Sequence, residues 1–451
     1  MDFLDKLVLP QSLEHIEVLH YMTIMVLFLF LPFISLLTAG TTLSLYYRRK
    51  GRNDNSGFFL RFAKDIIELC TVNKSVGIGF GILPLLALIM IFAQLLHTAD
   101  IPAVDYLGFS FMFILVGVVL VYIYRYSFGI KTIFESISGL AETSKDKFNP
   151  EILNEVEEYK SSAGKLNKST GLYGLILLFI ATYLYIAGFT LAMHPEEWKK
   201  VSTIGYLFTS GAVFFRWVYF LLASFVLTGS LILFYFFYWE GGKKAPEDYL
   251  DFVKKRTTFI IMPFALLLPF ILLINITSLP GSALSSSVFG FGAFTLVMLF
   301  LLIHFLYTMI KNSSFRLGGM IFVVVLLSSL SLIIAEQTAF KNSTKKHSLL
   351  ISEEYDKDKK ELQASIVSTG GLSAEDIYNK KCAACHRFDQ RVVGPPYNAV
   401  LPKYEGKVEQ LTEFILNPVK IDKDYPIMPN QGLKPKEAKA IAKYLLDEYK
   451  K

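Results

Sequence analysis

Two cysteines and a histidine stand in the order Cys382-Ala383-Ala384-Cys385-His386. This C-x-x-C-H spacing suits covalent attachment of a c-type haem. Thiols three positions apart on a helical turn can both form thioethers to the porphyrin vinyls. The next residue, His386, can then give the iron its proximal nitrogen. A redox dithiol and half of a zinc site are the other chemistries open to such a pair. Zinc would need further ligands, yet the chain has 3 cysteines and the third, Cys70, is remote in sequence. A thioredoxin-like dithiol would want a βαβ setting, and the surroundings read as helical.

The elements that must position this triplet follow from the flanking sequence. Ser373-Ala374-Glu375-Asp376 is a capping-box-like start to a short helix, Ile377 to Lys381, that delivers the cysteines. Downstream come Gly394-Pro395-Pro396, Asn417-Pro418 and Tyr425-Pro426-Ile427-Met428-Pro429. A last helix, Lys436 to Tyr449, carries Ala438, Ile441, Ala442 and Leu445 at helical spacing. In this order the pieces resemble a class I cytochrome c over residues 371–451. That resemblance implies Met428 as sixth iron ligand and the Pro395 carbonyl as acceptor for the ring N–H of His386. It also implies that the last helix packs across the first. Histidine–methionine ligation favours a relatively high potential and an electron carrier.

The rest of the chain is of another kind. With 451 residues, 53% hydrophobic and a mean hydropathy of +0.43, it is too apolar for a soluble protein with one small haem domain. Apolar runs of about 20 residues, the length that spans a bilayer, recur between residues 19 and 336. The expected spans are His20–Tyr46, Gly77–Leu96, Leu107–Tyr126, Leu172–Met193, Gly211–Trp239, Phe259–Ile276, Val288–Ile310 and Leu317–Ala335. The fold class is therefore mostly α: a polytopic transmembrane bundle of about eight spans with a C-terminal all-α haem domain. The expected domains are a bundle over 1–336, a hydrophilic tether over 337–370 that lets the haem domain dock or swing, and the haem domain over 371–451.

Charge then sets the topology. Covalent haem attachment occurs outside the bacterial inner membrane, so the C-terminus belongs on the periplasmic side. With an even number of spans the N-terminus joins it. Independently, the loops assigned inside carry Arg48, Arg49, Lys50 and Arg52, then Lys131, Lys145 and Lys147, then Lys243, Lys244, Lys254, Lys255 and Arg256, then Lys311 and Arg316. The outer loops Thr98–Tyr106 and Leu279–Ser287 have no Lys or Arg, and the loop after span four has only Lys199 and Lys200. The positive-inside rule gives the same answer. The net charge of +6 thus sorts by membrane side, and no nucleic-acid partner is indicated. Met1-Asp2-Phe3-Leu4-Asp5 lacks the basic n-region of a removable signal peptide. Between spans one and two, Phe59, Phe62, Ala63, Ile66, Ile67 and Cys70 form one apolar face, expected to lie on the inner leaflet. A polar helical excursion, Phe134 to Lys168, is either a connector or a docking element.

Four of the 7 histidines, His15, His20, His97 and His194, gather at the outer rim once this topology is set. Neutral imidazole ligates haem iron, so one or two b-type haems are expected in the bundle on His20, His97 and His194, with His15 a further candidate. Interfacial snorkelling is the plainer alternative. Arg216, inside span five, needs an anionic partner: a haem propionate, or one of Glu14, Glu17 and Glu336. His304 lies deeper, as a ligand, a packing residue or the lining of a quinone pocket. His347 in the tether reads as solvated. The glycines of Gly77-Ile78-Gly79-Phe80-Gly81 would let helices, or a haem face, approach closely.

The first hundred residues, with His20 followed by Phe30-Leu31-Pro32 and Leu37-Thr38-Ala39-Gly40, resemble subunit I of the cytochrome bd quinol oxidases. That resemblance implies His20 as a haem ligand. The chain departs from the family in span three, Leu107–Tyr126, which has none of the family's oxygen-site acids, and in lacking a long outer quinol loop. The expected function is membrane-bound respiratory electron transfer. Electrons would pass between the quinone pool, through bundle haem b, and a periplasmic carrier, through the tethered haem c, alongside other membrane subunits. A bd-like terminal oxidase subunit and a plain membrane anchor for cytochrome c are the alternatives.

Overall fold

The computed structural model describes residues 9–71, 73–143, 150–199, 205–368 and 373–449. Met1–Asp5, Lys145, Lys147 and Lys200, used above, lie outside these, as does the expected domain start at residue 371. The chain divides into two compact units, Met1–Ser352 and Glu353–Lys451, and no strand occurs among the described residues.

In the first unit, 8 helices are long and apolar enough to cross a membrane. They are α1 (Leu13–Asn53), α3 (Ser75–Leu95), α4 (Ala103–Thr143), α5 (Pro150–Met193), α6 (Gly211–Phe237), α7 (Glu247–Thr277), α8 (Ser286–Lys311) and α9 (Gly318–Ser343). They coincide with the eight expected spans, and the protein is a multi-pass membrane protein. Several run further than the apolar pattern does. α4 and α5 have 41 and 44 residues, about 60 Å each at 1.5 Å per residue, and so extend past a bilayer core. The described part of the excursion expected over Phe134–Lys168 belongs to these two helices, and residues 144–149 lie outside the described residues. Outward faces such as Phe289, Phe294, Val297, Phe300 and Tyr307 of α8 are exposed on the protein, as a lipid-facing stripe must be. His304 is exposed on this same helix.

Packing relies on small residues and on polar groups that bond backbone. A Cβ on Gly188 of α5 would stand 2.8 Å from the Ala103 carbonyl of α4, so these two backbones meet closely. Ser110 Oγ bonds the Ala181 carbonyl at 2.8 Å, and Ser44 Oγ the Ala63 carbonyl at 2.7 Å. Of the glycine run, Gly81 sits against the Phe33 ring and closes helix on helix.

Two expectations change. Helix α2 (Gly57–Cys70) does not present its apolar face to a leaflet: Phe59, Phe62, Ala63, Ile66, Ile67 and Cys70 are all buried in the bundle. Phe62 packs edge-on to Tyr47 and Phe252, and Asp65 takes Lys243 at 3.2 Å and the Tyr249 hydroxyl at 2.6 Å. A face that apolar is buried more fully by neighbouring helices than by an interface. The second change concerns 337–370. Gln337, Ala339 and Phe340 are buried in α9, and a helix α10 (Lys345–Ser368) follows. Ile351 on α10 is also buried. The bundle unit therefore continues to Ser352. Residues 369–370 of the expected tether lie outside the described residues.

The second unit is small and helical: α11 (Ala374–Ile377), a π turn Tyr378–Cys382, α12 (Tyr397–Val400), α13 (Val408–Leu416) and α14 (Pro435–Tyr449). Its core joins Ile377, Tyr397, Leu401 and Leu411 to Ala438, Ile441, Ala442 and Leu445 of the last helix. Tyr378 meets Tyr444 with ring centroids 6.0 Å apart, so the last helix does pack on the first.

Candidate haem site and the histidine rim

In the second unit the cysteine motif sits at the end of a capped, locally wound helix. Ser373 Oγ accepts from the Asp376 N–H at 3.0 Å. The helix then widens: Ala383 N–H bonds the Tyr378 carbonyl at 2.8 Å, a π turn of the kind that often marks a functional position. Cys385 and His386 N–H groups both fold onto the Cys382 carbonyl, at 3.0 and 2.9 Å. The chain then doubles back, with Gly394 N–H on the Cys385 carbonyl at 2.8 Å.

This return loop fixes the histidine. His386 Nδ1 lies 3.0 Å from the Pro395 carbonyl oxygen. A carbonyl only accepts, so Nδ1 carries the proton and Nε2 is left with its lone pair. Tyr397 stacks on the imidazole at 5.0 Å and 22°. A Cβ on Gly394 would stand 2.2 Å from His386 Cε1, so only glycine lets the ring lie here. Burial raises the Cys382 thiol above its usual pKa, while a hydrogen bond with the Tyr397 side chain opposes this.

Cys382, Cys385, His386, Pro395 and Met428 line one cavity of about 200 Å³, where a single water needs only about 10–15 Å³. The segment bearing Met428 is pinned at both ends. Arg391 lies over the Tyr425 ring at 4.5 Å and bonds the Asp424 carbonyl at 3.1 Å. Asn430 Nδ2 donates to the Leu416 carbonyl at 2.8 Å, and Gly432 takes φ +65° with its N–H on Asn430 Oδ1. Two thiols, an imidazole with a free Nε2 and a thioether around one apolar slot fit a covalently held haem.

Residues 371–445 match the family of cytochrome c oxidase, cbb3-type, subunit III. Cytochrome c-551 of Pseudomonas aeruginosa is 31% identical over 97 residues, covering 19% of this chain and 92% of that protein. Through this domain the chain belongs to the cytochrome c family. Cytochrome c-551 of Pseudomonas denitrificans is 32% identical over 78 residues, covering 16% of the chain and 95% of that protein. No solved structure matches the chain. A cytochrome c domain implies covalent haem c, and on a multi-pass membrane protein it implies electron transfer.

The rim histidines are brought to one end of the bundle but not onto one site. His15 Nε2 lies 3.3 Å from Gln94 Oε1. His20 Nδ1 lies 2.7 Å from Gln337 Nε2 of α9, and the His20 ring meets Phe340 edge-on. His194 Nδ1 donates to the Thr190 carbonyl at 2.7 Å, and its Nε2 lies 3.3 Å from the Ser278 carbonyl. His97 Nδ1 is buried without a partner. Phe340 stacks flat on Phe92, 5.3 Å away, beside His20. Two rings sharing one iron need free nitrogens facing a common space.

Arg216 meets one of its expected candidates, while His347 differs from expectation. Arg216 finds its counter-charge in Glu336, at 3.1 Å. A side chain from α9 thus fills the role a propionate could have taken. His347 is half-buried rather than solvated: it meets Trp198 edge-on at 5.1 Å and touches the backbone of His97, and burial lowers its pKa. Sequence reasoning missed Gly394, Tyr397, Arg391 and Gln337. For the first two a signal existed, since Gly-Pro-Pro-Tyr follows closely on the haem motif.

Proposed function

We propose that this protein exchanges electrons between the quinone pool and a redox carrier on the periplasmic side of a bacterial inner membrane, with both its termini on that side. The observation that carries the reading is the joining of a haem c domain to an eight-span bundle in one chain. When bound, the haem supplies a reversible one-electron ferric–ferrous change. Cys382 and Cys385 would hold it by thioethers, and His386 and Met428 would supply an imidazole nitrogen and a thioether sulfur to its iron. The Pro395 carbonyl holds the His386 proton on Nδ1 and so keeps Nε2 basic and aimed. With an imidazole and a thioether both given to its iron, haem c would carry electrons and would not bind oxygen; a terminal oxidase would need a second haem for that chemistry. The absence of acids in Leu107–Tyr126 supports the same side. The orientation rests on the basic loops, gathered at the end opposite the histidine rim.

The test is reduction of haem c by a quinol analogue in the full chain reconstituted in nanodiscs. Reduction at a rate that saturates with quinol supports the reading, and no reduction leaves only a membrane-anchored cytochrome.

A further inference from the structure

A second cavity, of about 140 Å³, lies inside the bundle between α1, α5, α6, α7, α8 and α9. None of the histidines lines it. At one end Arg216 and Glu336 form their 3.1 Å pair and Asn275 stands near the end of α7, and further polar groups, Ser35, Ser328 and Ser329, also line it. The rest of the walls are mostly apolar, with Leu27, Leu31, Leu268 and Leu299 among them. Pro32 also lines it, and its missing N–H leaves the Phe28 carbonyl of α1 without its helical donor.

Two polar atoms at the head of this slot are buried without partners. Arg216 and Asn275 are each 6% exposed. Arg216 spends one terminal nitrogen on Glu336 and the other on Met193 Sδ at 3.3 Å, and its Nε has no partner. Asn275 Oδ1 has none either. A buried polar group left unsatisfied costs about 1–3 kcal/mol, so such a pair in an apolar bundle calls for an occupant. The Nε–H is a donor and Oδ1 an acceptor. The ligand head must therefore accept one hydrogen bond and donate another. It must also be neutral, because Glu336 already balances Arg216 and would repel a phosphate or carboxylate.

We propose that this cavity binds a quinol by its ring, one oxygen accepting from Arg216 Nε–H and a hydroxyl donating to Asn275 Oδ1, with the isoprenoid tail along the leucine-lined shaft. A neutral aromatic head with two opposed oxygens and a hydrocarbon tail meets each requirement. An anionic lipid meets only the last. The assignment rests on the quinone-pool reading for its biological sense, but its geometry stands apart from it.

The experiment uses the full holoprotein in nanodiscs, with an azido-ubiquinone for photolabelling and decylubiquinol for binding and competition. Label should fall on peptides containing Leu27–Ser35, Leu268–Asn275 or Val325–Glu336 and be displaced by decylubiquinol. Asn275→Leu should weaken decylubiquinol binding about tenfold, the scale of one hydrogen bond in an apolar site. Leu299→Trp, which fills the shaft, should abolish it. Both variants are first checked for haem content and melting temperature. Label on other segments, displacement by phosphatidylglycerol rather than quinol, or unchanged affinity in either folded variant would overturn the site. If haem c is still quinol-reducible while the label falls elsewhere, only this site fails. If the label falls here but haem c stays oxidised, only the electron-transfer reading fails.

Discussion

His386 and Gly394 are fitted to each other: a single added carbon on Gly394 would lie 2.2 Å from the imidazole Cε1. The helical turn that delivers the ring and the loop that returns to hold it are thus one device. Gly394→Ala should push the ring off the Pro395 carbonyl and destabilise the domain by about 1–3 kcal/mol, the usual cost of overpacking. Thermal melting of the full chain, read at the haem absorbance, checks this. Unchanged melting and spectrum would mean that the loop relaxes freely.

Met428 should set the potential. Replacing its thioether by alanine opens an axial place to water, and Met428→Ala should lower the midpoint potential by on the order of 0.1 V, a fraction of the roughly 0.8 V range axial ligands command. Redox titration of the α-band measures it. An unchanged potential would assign the sixth place to another residue.

The pair Arg216–Glu336 should be asymmetric under substitution. The arginine side chain is 5% exposed and the glutamate 26%, so Glu336→Gln strands the more deeply buried charge. Breaking a buried pair from one side costs about 3–5 kcal/mol, and Glu336→Gln should approach that loss, whereas Arg216→Met should lose less. Denaturant melts in detergent rank the two, and equal losses would contradict the burial argument.

His347 gives a pH dependence. Burial lowers its pKa below 6.5, so the unfolded segment binds the proton more tightly than the packed one. Its contribution is complete above pH 6.5 and is lost as pH falls through the folded value. Protection from hydrogen exchange over Lys345–Ser352, corrected for the intrinsic rate at each pH, should therefore fall below that pH, and His347→Gln should flatten the profile. A profile unchanged in His347→Gln would remove His347 as its source.

How much of this was legible beforehand follows from physics. The spans were, because about 20 apolar residues have few fates other than a bilayer, and the haem domain was, because its ligands lie close together in sequence. Arg216 and Glu336 were legible only as one of several candidate pairings, being 120 residues apart on different spans. α10 was read as a tether because its polar composition suits either an exposed helix or a linker. The face of α2 was read as lipid-facing because periodicity reports that a face is buried, not what buries it. Acid–acetone extraction tests the haem b expectation: a stoichiometric b-type haem lost in His20→Ala or His97→Ala supports it, and no extractable haem removes it.

The central claim is that electrons from quinol reach haem c within this one chain. The direct measurement is stopped-flow mixing of the oxidised holoprotein in nanodiscs with decylubiquinol, following the c-type α-band. The account predicts full reduction, at least tenfold slower at limiting quinol in Asn275→Leu and undetectable in Cys382→Ala with Cys385→Ala. A haem c that dithionite reduces but quinol does not would contradict it.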